Sequence, residues 1–273
     1  MQWRNIYRGF LMGMSDLIPG VSAGTIAVIL GIYNRVLYSI NNLFSKEWKR
    51  HFMFLFPIGI GMVSAILLLS NIMETLLEQF PQPTYFFFLG LIIGILPFLF
   101  IQANARSTFT SKHYFILIIA GLAIASMTFF KEDSTTKVWD VIGPTELLLL
   151  FLSGWLASTA MILPGVSGSF VLLLIGVYPT VIHAVSDLNL IVIGVVGLGI
   201  LFGIIIMSKL LSYLLHTFPT IMYAIIIGMV SGSVIVIFPG INDQIWISLI
   251  TLCLGLGAAV ALGKMEYKIN PQK

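Results

Sequence analysis

The sequence predicts an all-α polytopic membrane protein built from two inverted-topology repeats, each a re-entrant helical hairpin followed by three transmembrane helices. Three observations carry that prediction. The 273 residues are 58% hydrophobic and only 9% charged, with a mean hydropathy of +1.03, whereas a soluble domain is about 25% charged. Long apolar stretches recur, each near the roughly 17–25 residues that a helix needs to cross the hydrocarbon core. Two related motifs, "IPGVSAGT" at Ile18–Thr25 and "LPGVSGSF" at Leu163–Phe170, break the apolar sequence with prolines, glycines and hydroxyls.

The motifs mark an internal repeat. A shift of 145 positions carries Pro19, Gly20, Val21 and Ser22 onto Pro164, Gly165, Val166 and Ser167, and Gly31 and Tyr33 onto Gly176 and Tyr178. Further on the shift is 138, and Gly59, Gly61, Phe80, Pro81, Tyr85, Gly90 and Gly94 meet Gly197, Gly199, Phe218, Pro219, Tyr223, Gly228 and Gly232. Chance similarity in aliphatic sequence aligns leucines, not an ordered series of glycines, prolines and aromatics. The first repeat is read as residues 1–135 and the second as 140–273, parted by the polar stretch Lys131–Glu146. Transporters are often assembled from such repeats.

In the first repeat the motif comes first. Arg8 and Pro19 are so close that the helix between them spans only about 15 Å, half of a roughly 30 Å core. The chain is expected to reach the midplane, break at Pro19-Gly20 and return as a second helix ending near Tyr38. The alternative is one kinked, tilted helix over about 12–40. Spanning segments follow near Phe52–Leu77, Tyr85–Ile101 and Tyr114–Phe130. The second repeat repeats the plan, with segments near Leu190–Leu215, Ile221–Phe238 and Ile245–Leu262. Gly194–Gly203 (GVVGLGILFG) reads as a close-packing stripe, and Trp139, Trp155, Trp246 and the Gln79–Phe88 aromatics as an interfacial belt.

Charge chooses between hairpin and crossing. A hairpin with three crossings makes each repeat odd, so the second is inverted. With both termini cytoplasmic, only Lys131 and Lys137 of the 14 basic residues fall outside, as the positive-inside rule requires. A full first crossing would put Lys46, Lys49, Arg50, Arg106 and Lys112 outside. Six crossings and two opposed hairpins are therefore expected, with no cleavable signal peptide. The single cysteine, Cys253, excludes an intrachain disulfide, and the four histidines show no ligand spacing. No metal, cofactor, catalytic residue or nucleic-acid partner is expected.

Breaking a helix in hydrocarbon leaves backbone groups unpaired, which is tolerated only where protein or water surrounds them. A helix restarting after Pro-Gly aims free N–H groups and its positive dipole end at the tip, which suits an anion. The candidate binding residues are thus Asp16, Pro19, Gly20, Val21, Ser22, Ala23, Gly24 and Thr25 in one tip. Pro164, Gly165, Val166, Ser167, Gly168 and Ser169 form the other. The competing reading is that small residues merely let helices approach. Asp16, whose counterpart is Met161, is an intramembrane acid and a candidate proton carrier, since burial favours the neutral form of a carboxyl. It could equally cap a helix end. Arg35 and Lys209 lie near inner segment ends, where they snorkel to the interface or attract an anionic head group.

"GFLMGMSDLIPGVSAGTIAVILGIY", followed one repeat later by "LPGVSGSFVLLLIGVY", resembles the bacterial polyprenyl-phosphate transporters (PopT), also labelled domain of unknown function 368. The resemblance covers nearly the whole chain. It implies a flippase returning undecaprenyl phosphate, the lipid carrier of cell-wall synthesis, from the outer to the inner leaflet. It also implies the paired tips as the phosphate site, with polyprenyl phosphate and the bilayer as partners; the sequence leaves open whether the chain forms a homo-oligomer. Ala23 stands where that family usually has glycine. Undecaprenyl-pyrophosphate phosphatases share inverted repeats and a Pro-Gly-x-Ser stretch, but their motif resembles PG-x-S-R-S-G. Here Ala23 and Gly168 replace the arginine that phosphoryl transfer would need. A small-ion or metabolite carrier is the remaining alternative.

The topology has a direct check. In a Cys253→Ala background, cysteines at Thr136 and Asn242 should react with an impermeant thiol reagent from outside the cell, and one at Ser45 should not. Outside labelling at Ser45 would mean that the first motif crosses the membrane.

Overall fold

A computed structural model describes residues 3–17, 22–130, 139, 143–241 and 244–269. Every regular element among these is helical. In chain order they are α1 (Arg4–Asp16), α2 (Ala23–Ile29), α3 (Tyr33–Asn41), α4 (Trp48–Gln79), α5 (Pro81–Gln102), α6 (Ala105–Thr108) and α7 (Ser111–Ala125), which tightens into a 3-10 turn over Ser126–Phe130. Then come α8 (Pro144–Ile162), α9 (Gly168–Ile175), α10 (Tyr178–Ser186), α11 (Leu190–Thr217), α12 (Pro219–Ile237) and α13 (Ile245–Ile269). Most of the Lys131–Glu146 boundary, the first tip at 18–21 and residues 242–243 lie outside the described residues.

Local chemistry sets the helix ends. α5 and α12 each start with proline in the first turn, where its missing N–H is harmless. The residues before them, Phe80 and Phe218, share one backbone conformation, at φ −132°, ψ 52° and φ −129°, ψ 56°. At α8, Glu146 accepts the Gly143 N–H at 2.9 Å, and at α11 Asn189 accepts the Val192 N–H at 3.3 Å. Both satisfy donors that a helix start leaves open.

Seven helices among the described residues are long and apolar enough to cross a membrane, one more than the six expected. The additional one is α8. Its helix from Pro144 to Ile162 is unbroken for 19 residues, about 28 Å, while its counterpart α1 has only 13. The arm leading into the second motif is thus longer than the arm leading into the first. Two further helix pairs are sharply bent, α2 against α3 by 118° and α9 against α10 by 114°. The corners fall at Gly31 (φ +62°) and Gly176 (φ +84°), left-handed conformations that glycine adopts at no steric cost.

Four parallel pairs form the frame, each sealed by glycines lying on a facing backbone. Gly9 meets Ile58 and Gly13 meets Met62 between α1 and α4; Gly154 meets Val196 and Gly203 meets Trp155 between α8 and α11. Gly90 meets Leu252 and Gly94 meets Leu256 between α5 and α13; Gly228 meets Leu117 and Gly232 meets Gly121 between α7 and α12. In each pair both numbers rise together, so the helices run in the same direction. Since α1 and α4 are parallel, the chain between them comes back, through α2 and α3, to the end from which α1 set out. The same holds for α8, α9, α10 and α11. The large core gathers where α2, α3, α5 and α12 converge, with Leu30, Leu37, Ile92 and Ile227 fully buried in it.

Only part of the Gly194–Gly203 stripe packs. A Cβ at Gly199 would meet the Phe151 carbonyl, whereas Gly194 and Gly197 face open space. In the first half Gly61 packs on Ile6 and Gly59 is open, in the same alternation. Gly199→Ala is therefore expected to lower stability by about 1–3 kcal/mol through overpacking. Gly197→Ala should be neutral or raise it by up to about 1 kcal/mol through helix propensity. Thermal unfolding of the two variants in the same detergent checks the difference.

Candidate functional site

The second tip is built by its sequence. A residue before proline is pushed out of the helical region, and Leu163, ahead of Pro164, ends α8 at φ −72°, ψ 130°. Gly165 then takes φ +87°, and a side chain there would come within 2.7 Å of the Met229 carbonyl of α12. Val166 anchors the turn in a small apolar cluster with Ile124, Ala160, Met229 and Val236. Ser167 is extended, at φ −95°, ψ 130°, and α9 starts after it. Pro164, Gly165 and Val166 are buried, Gly168 and Ser167 half-buried, and Ser169 exposed.

Of the first tip, Pro19, Gly20 and Val21 lie outside the described residues, and its two flanks are described. Asp16 ends α1 and its Oδ1 accepts the Ala23 N–H at 2.7 Å. Ser22 is extended and accepts the Thr25 N–H at 3.3 Å. Two donors at the start of α2 are thus satisfied by side chains, one of them a carboxylate where the helix dipole favours negative charge. Asp16 has the geometry of a capping residue. Its Oδ2 carries no hydrogen bond among the described residues.

The two motifs touch. The Gly165 N–H donates to Thr25 Oγ1 at 2.8 Å, and Ser22 Oγ donates to the Leu163 carbonyl at 3.4 Å. Gly24 lies so close to the second motif that a Cβ would be 2.9 Å from the Ile162 carbonyl. Tyr33 donates to that same carbonyl at 3.1 Å. Backbone groups freed by the Leu163–Ser167 break are in this way taken up by side chains of the other half, which a break inside apolar surroundings requires.

The two helix starts differ in what they leave open. Ser22 and Thr25 are buried, each 1% exposed, and bonded to protein. Ser167 and Ser169 pair with each other, Oγ to Oγ at 2.8 Å, on an accessible surface. Ser167 does not cap α9, so the N–H groups of Gly168, Ser169 and Phe170 have no acceptor among the described residues. Chemically, two hydroxyls beside an open helix N-terminus are donors of the kind that suits an anion.

Arg35 and Lys209 do not join the tips. The Arg35 guanidinium lies over the Phe54 ring of α4 at 4.3 Å, and Lys209 is exposed on α11. Sequence reading missed Tyr33 as a contact between the halves, although the repeat had aligned it with Tyr178. It also missed Asn41, whose Nδ2 donates to the Ser208 carbonyl at 3.0 Å while Ser208 Oγ donates to Asn41 Oδ1 at 2.8 Å. Neither residue carries a charge or motif that could have singled it out. No group of three or more His, Cys, Asp or Glu side chains among the described residues could hold a metal ion.

Comparison with known proteins bears on this arrangement. A family described as undecaprenyl phosphate translocase-like (VCA0040-like) matches residues 12–252. A polyprenyl-phosphate transporter of Staphylococcus aureus (strain NCTC 8325 / PS 47) is 43% identical over 275 aligned residues, covering 97% of each chain. A polyprenyl-phosphate transporter of Vibrio cholerae serotype O1 (strain ATCC 39315 / El Tor Inaba N16961) is 33% identical over 253 residues, covering 88% of this chain and 78% of its own. No solved structure matches.

The bond between the tips is testable. Thr25→Val keeps the shape and removes the acceptor, stranding the buried Gly165 N–H, at a cost of about 1–3 kcal/mol. Thr25→Ser should recover most of it. Unchanged unfolding of Thr25→Val in detergent would show that the tips do not depend on this contact.

Proposed function

The chain belongs to the undecaprenyl phosphate translocase-like family, and on that footing we propose that it carries a polyprenyl phosphate of the undecaprenyl phosphate class from the outer to the inner leaflet. The relatives are named transporters, which sets the chain apart from the pyrophosphate phosphatases that share a Pro-Gly-x-Ser stretch. The observation that carries the site is the open start of α9, with the accessible Ser167–Ser169 hydroxyl pair beside N–H groups that donate to no acceptor among the described residues. A phosphomonoester brings about −1.5 to −2 charges, and a helix N-terminus with hydroxyl donors meets such a charge without a counter-cation.

The phosphate is held between the tips, chiefly by the second. At the first, the Asp16 carboxylate already stands at the N-terminus of α2, where it would repel an anion; at the second, the matching residue is the neutral Met161. Pro164, Gly165 and Gly168 set the turn. The prenyl tail stays in lipid, so that only the head group needs shelter. Asp16 remains the candidate for a coupling proton, taken up on Oδ2 while Oδ1 keeps its bond to Ala23. Arg35 and Lys209, at the cytoplasmic interface, draw the head group out.

Two repeats, 1–135 and 140–273, inverted in a bacterial cytoplasmic membrane with both termini cytoplasmic, agree with the parallel helix pairs and the distribution of basic residues. One repeat rocking against the other would expose the site to each leaflet in turn, in the service of cell-wall lipid-carrier recycling.

Binding and transport in proteoliposomes test the reading. A hydrogen bond to a charged group contributes roughly 1.5–3 kcal/mol, so Ser167→Ala with Ser169→Ala should weaken polyprenyl phosphate binding about tenfold or more per lost bond. Binding of the phosphate-free prenol should not change. Equal transport of prenol and prenyl phosphate by the wild type would sink the proposal.

A further inference from the structure

The two hairpins have the same local plan but not the same surroundings. All seven residues of α2 are buried, and none of α9 is. α2 packs on α8 and α13, and α3 packs on α11, all in the other half of the chain; α9 and α10 pack on α8 and α11, in their own half. The polar links follow the same division. Ser22 reaches Leu163, Thr25 reaches Gly165, Tyr33 reaches Ile162, and Asn41 forms its two-bond pair with Ser208. Among the described residues no hydrogen bond runs from α9 to the first half.

Repeat equivalence says where matching links would form. Tyr33 corresponds to Tyr178 and Ile162 to Leu17; Asn41 corresponds to Ser186 and Ser208 to Ser70. The Tyr178 hydroxyl and the Ser70 hydroxyl have no hydrogen-bond partner among the described residues, while the Tyr33 hydroxyl reaches Ile162 and the Ser208 hydroxyl reaches Asn41 in the other half. One set of contacts is made, and in its counterpart the Tyr178 and Ser70 hydroxyls are open among the described residues. Two copies of one unit in different surroundings are the two halves of an alternation.

We infer that Asn41–Ser208, with Tyr33–Ile162, is the gate that closes the α3–α11 side of the site, and that transport replaces it by the equivalent gate, Ser70 with Ser186 and Tyr178 with the Leu17 carbonyl. This rests on the transport reading above. On the topology proposed above, with Lys46 and Lys209 at the cytoplasmic face, the gate that is made is the cytoplasmic one, and the accessible Ser167–Ser169 pair beside α9 lies on the side of the open one. The gate opens by exchange of neutral hydrogen bonds, so neither state strands a buried charge. Closure of the α10–α4 side would cover α9 as α2 is covered now.

Paired cysteines in a Cys253→Ala background test this in the full-length protein reconstituted in liposomes. Asn41→Cys with Ser208→Cys should be bridged by a short bis-thiol reagent in the absence of lipid substrate, and the bridge should stop transport. Ser70→Cys with Ser186→Cys should bridge weakly until polyprenyl phosphate is supplied. Asn41→Ala, introduced with the second pair, should raise that pair's substrate-free bridging roughly tenfold, as two neutral hydrogen bonds are lost. Full transport by the bridged 41/208 protein would overturn the gate, and so would a 70/186 yield that stays at background during wild-type-like transport. If polyprenyl phosphate is not transported at all, yet bridging one pair still suppresses the other, the gate stands and the cargo assignment falls.

Discussion

Between Leu163 and Ser167 the backbone leaves one helix and starts another, and in apolar surroundings it has no water to finish its hydrogen bonds. Each unpaired group there would cost several kcal/mol, so the break can exist only where other parts of the chain complete it. Thr25 accepts the Gly165 N–H, and Tyr33 and Ser22 donate to the Ile162 and Leu163 carbonyls. These partners come from the other half of the chain. The break therefore forces the two halves together at one point, and the proposed site lies beside it, at the start of α9, whose donors the other half leaves open.

A single position then separates the two tips. Asp16 supplies a carboxylate at the start of α2 and closes it; Met161 supplies nothing polar, and the start of α9 stays open. An anion favours the helix start that lacks a fixed negative charge. The internal repeat thus yields one structural tip and one with free donors, although both carry PGVS. A symmetric pair of binding tips is what the sequence suggests on its face, and the capping distances show why the two are unequal.

How much was legible depends on the kind of signal. The helices, their order, the equivalence of Gly61 with Gly199 and of Gly31 with Gly176, and the meeting of the motifs all follow from periodicity and repeat spacing, which are written in residue types. The length of α8 was underestimated because a half-membrane arm was inferred from Arg8–Pro19, and the second repeat has no charge at the matching depth to end its helix. The roles of Tyr33, Asn41 and Ser208 were illegible for a different reason. Tyr33 acts through one hydrogen bond and Asn41 with Ser208 through two, each across more than a hundred residues of sequence, and pairing at that distance leaves no local pattern. The Asp16 cap was foreseeable as an alternative, since short acids favour helix starts, but only the 2.7 Å contact to Ala23 selects it.

The same glycines that identify the repeat divide the molecule into stiff and mobile parts. Where Gly9, Gly61, Gly154, Gly199, Gly90 and Gly228 lie against facing carbonyls, no side chain separates the backbones, and sliding one helix past another would drive main-chain atoms together. Packed interfaces of this kind switch between discrete arrangements and do not deform gradually. Each parallel pair therefore behaves as one body. The short helices are different: α2–α3 and α9–α10 hang from corners at Gly31 and Gly176, where no neighbour lies within reach of a Cβ at Gly31. Rearrangement is concentrated where the backbone is free to turn and held off where glycine has already brought it into contact. On the proposed reading, a lipid head group at the tips would sit between these rigid walls and the short helices that turn at Gly31 and Gly176.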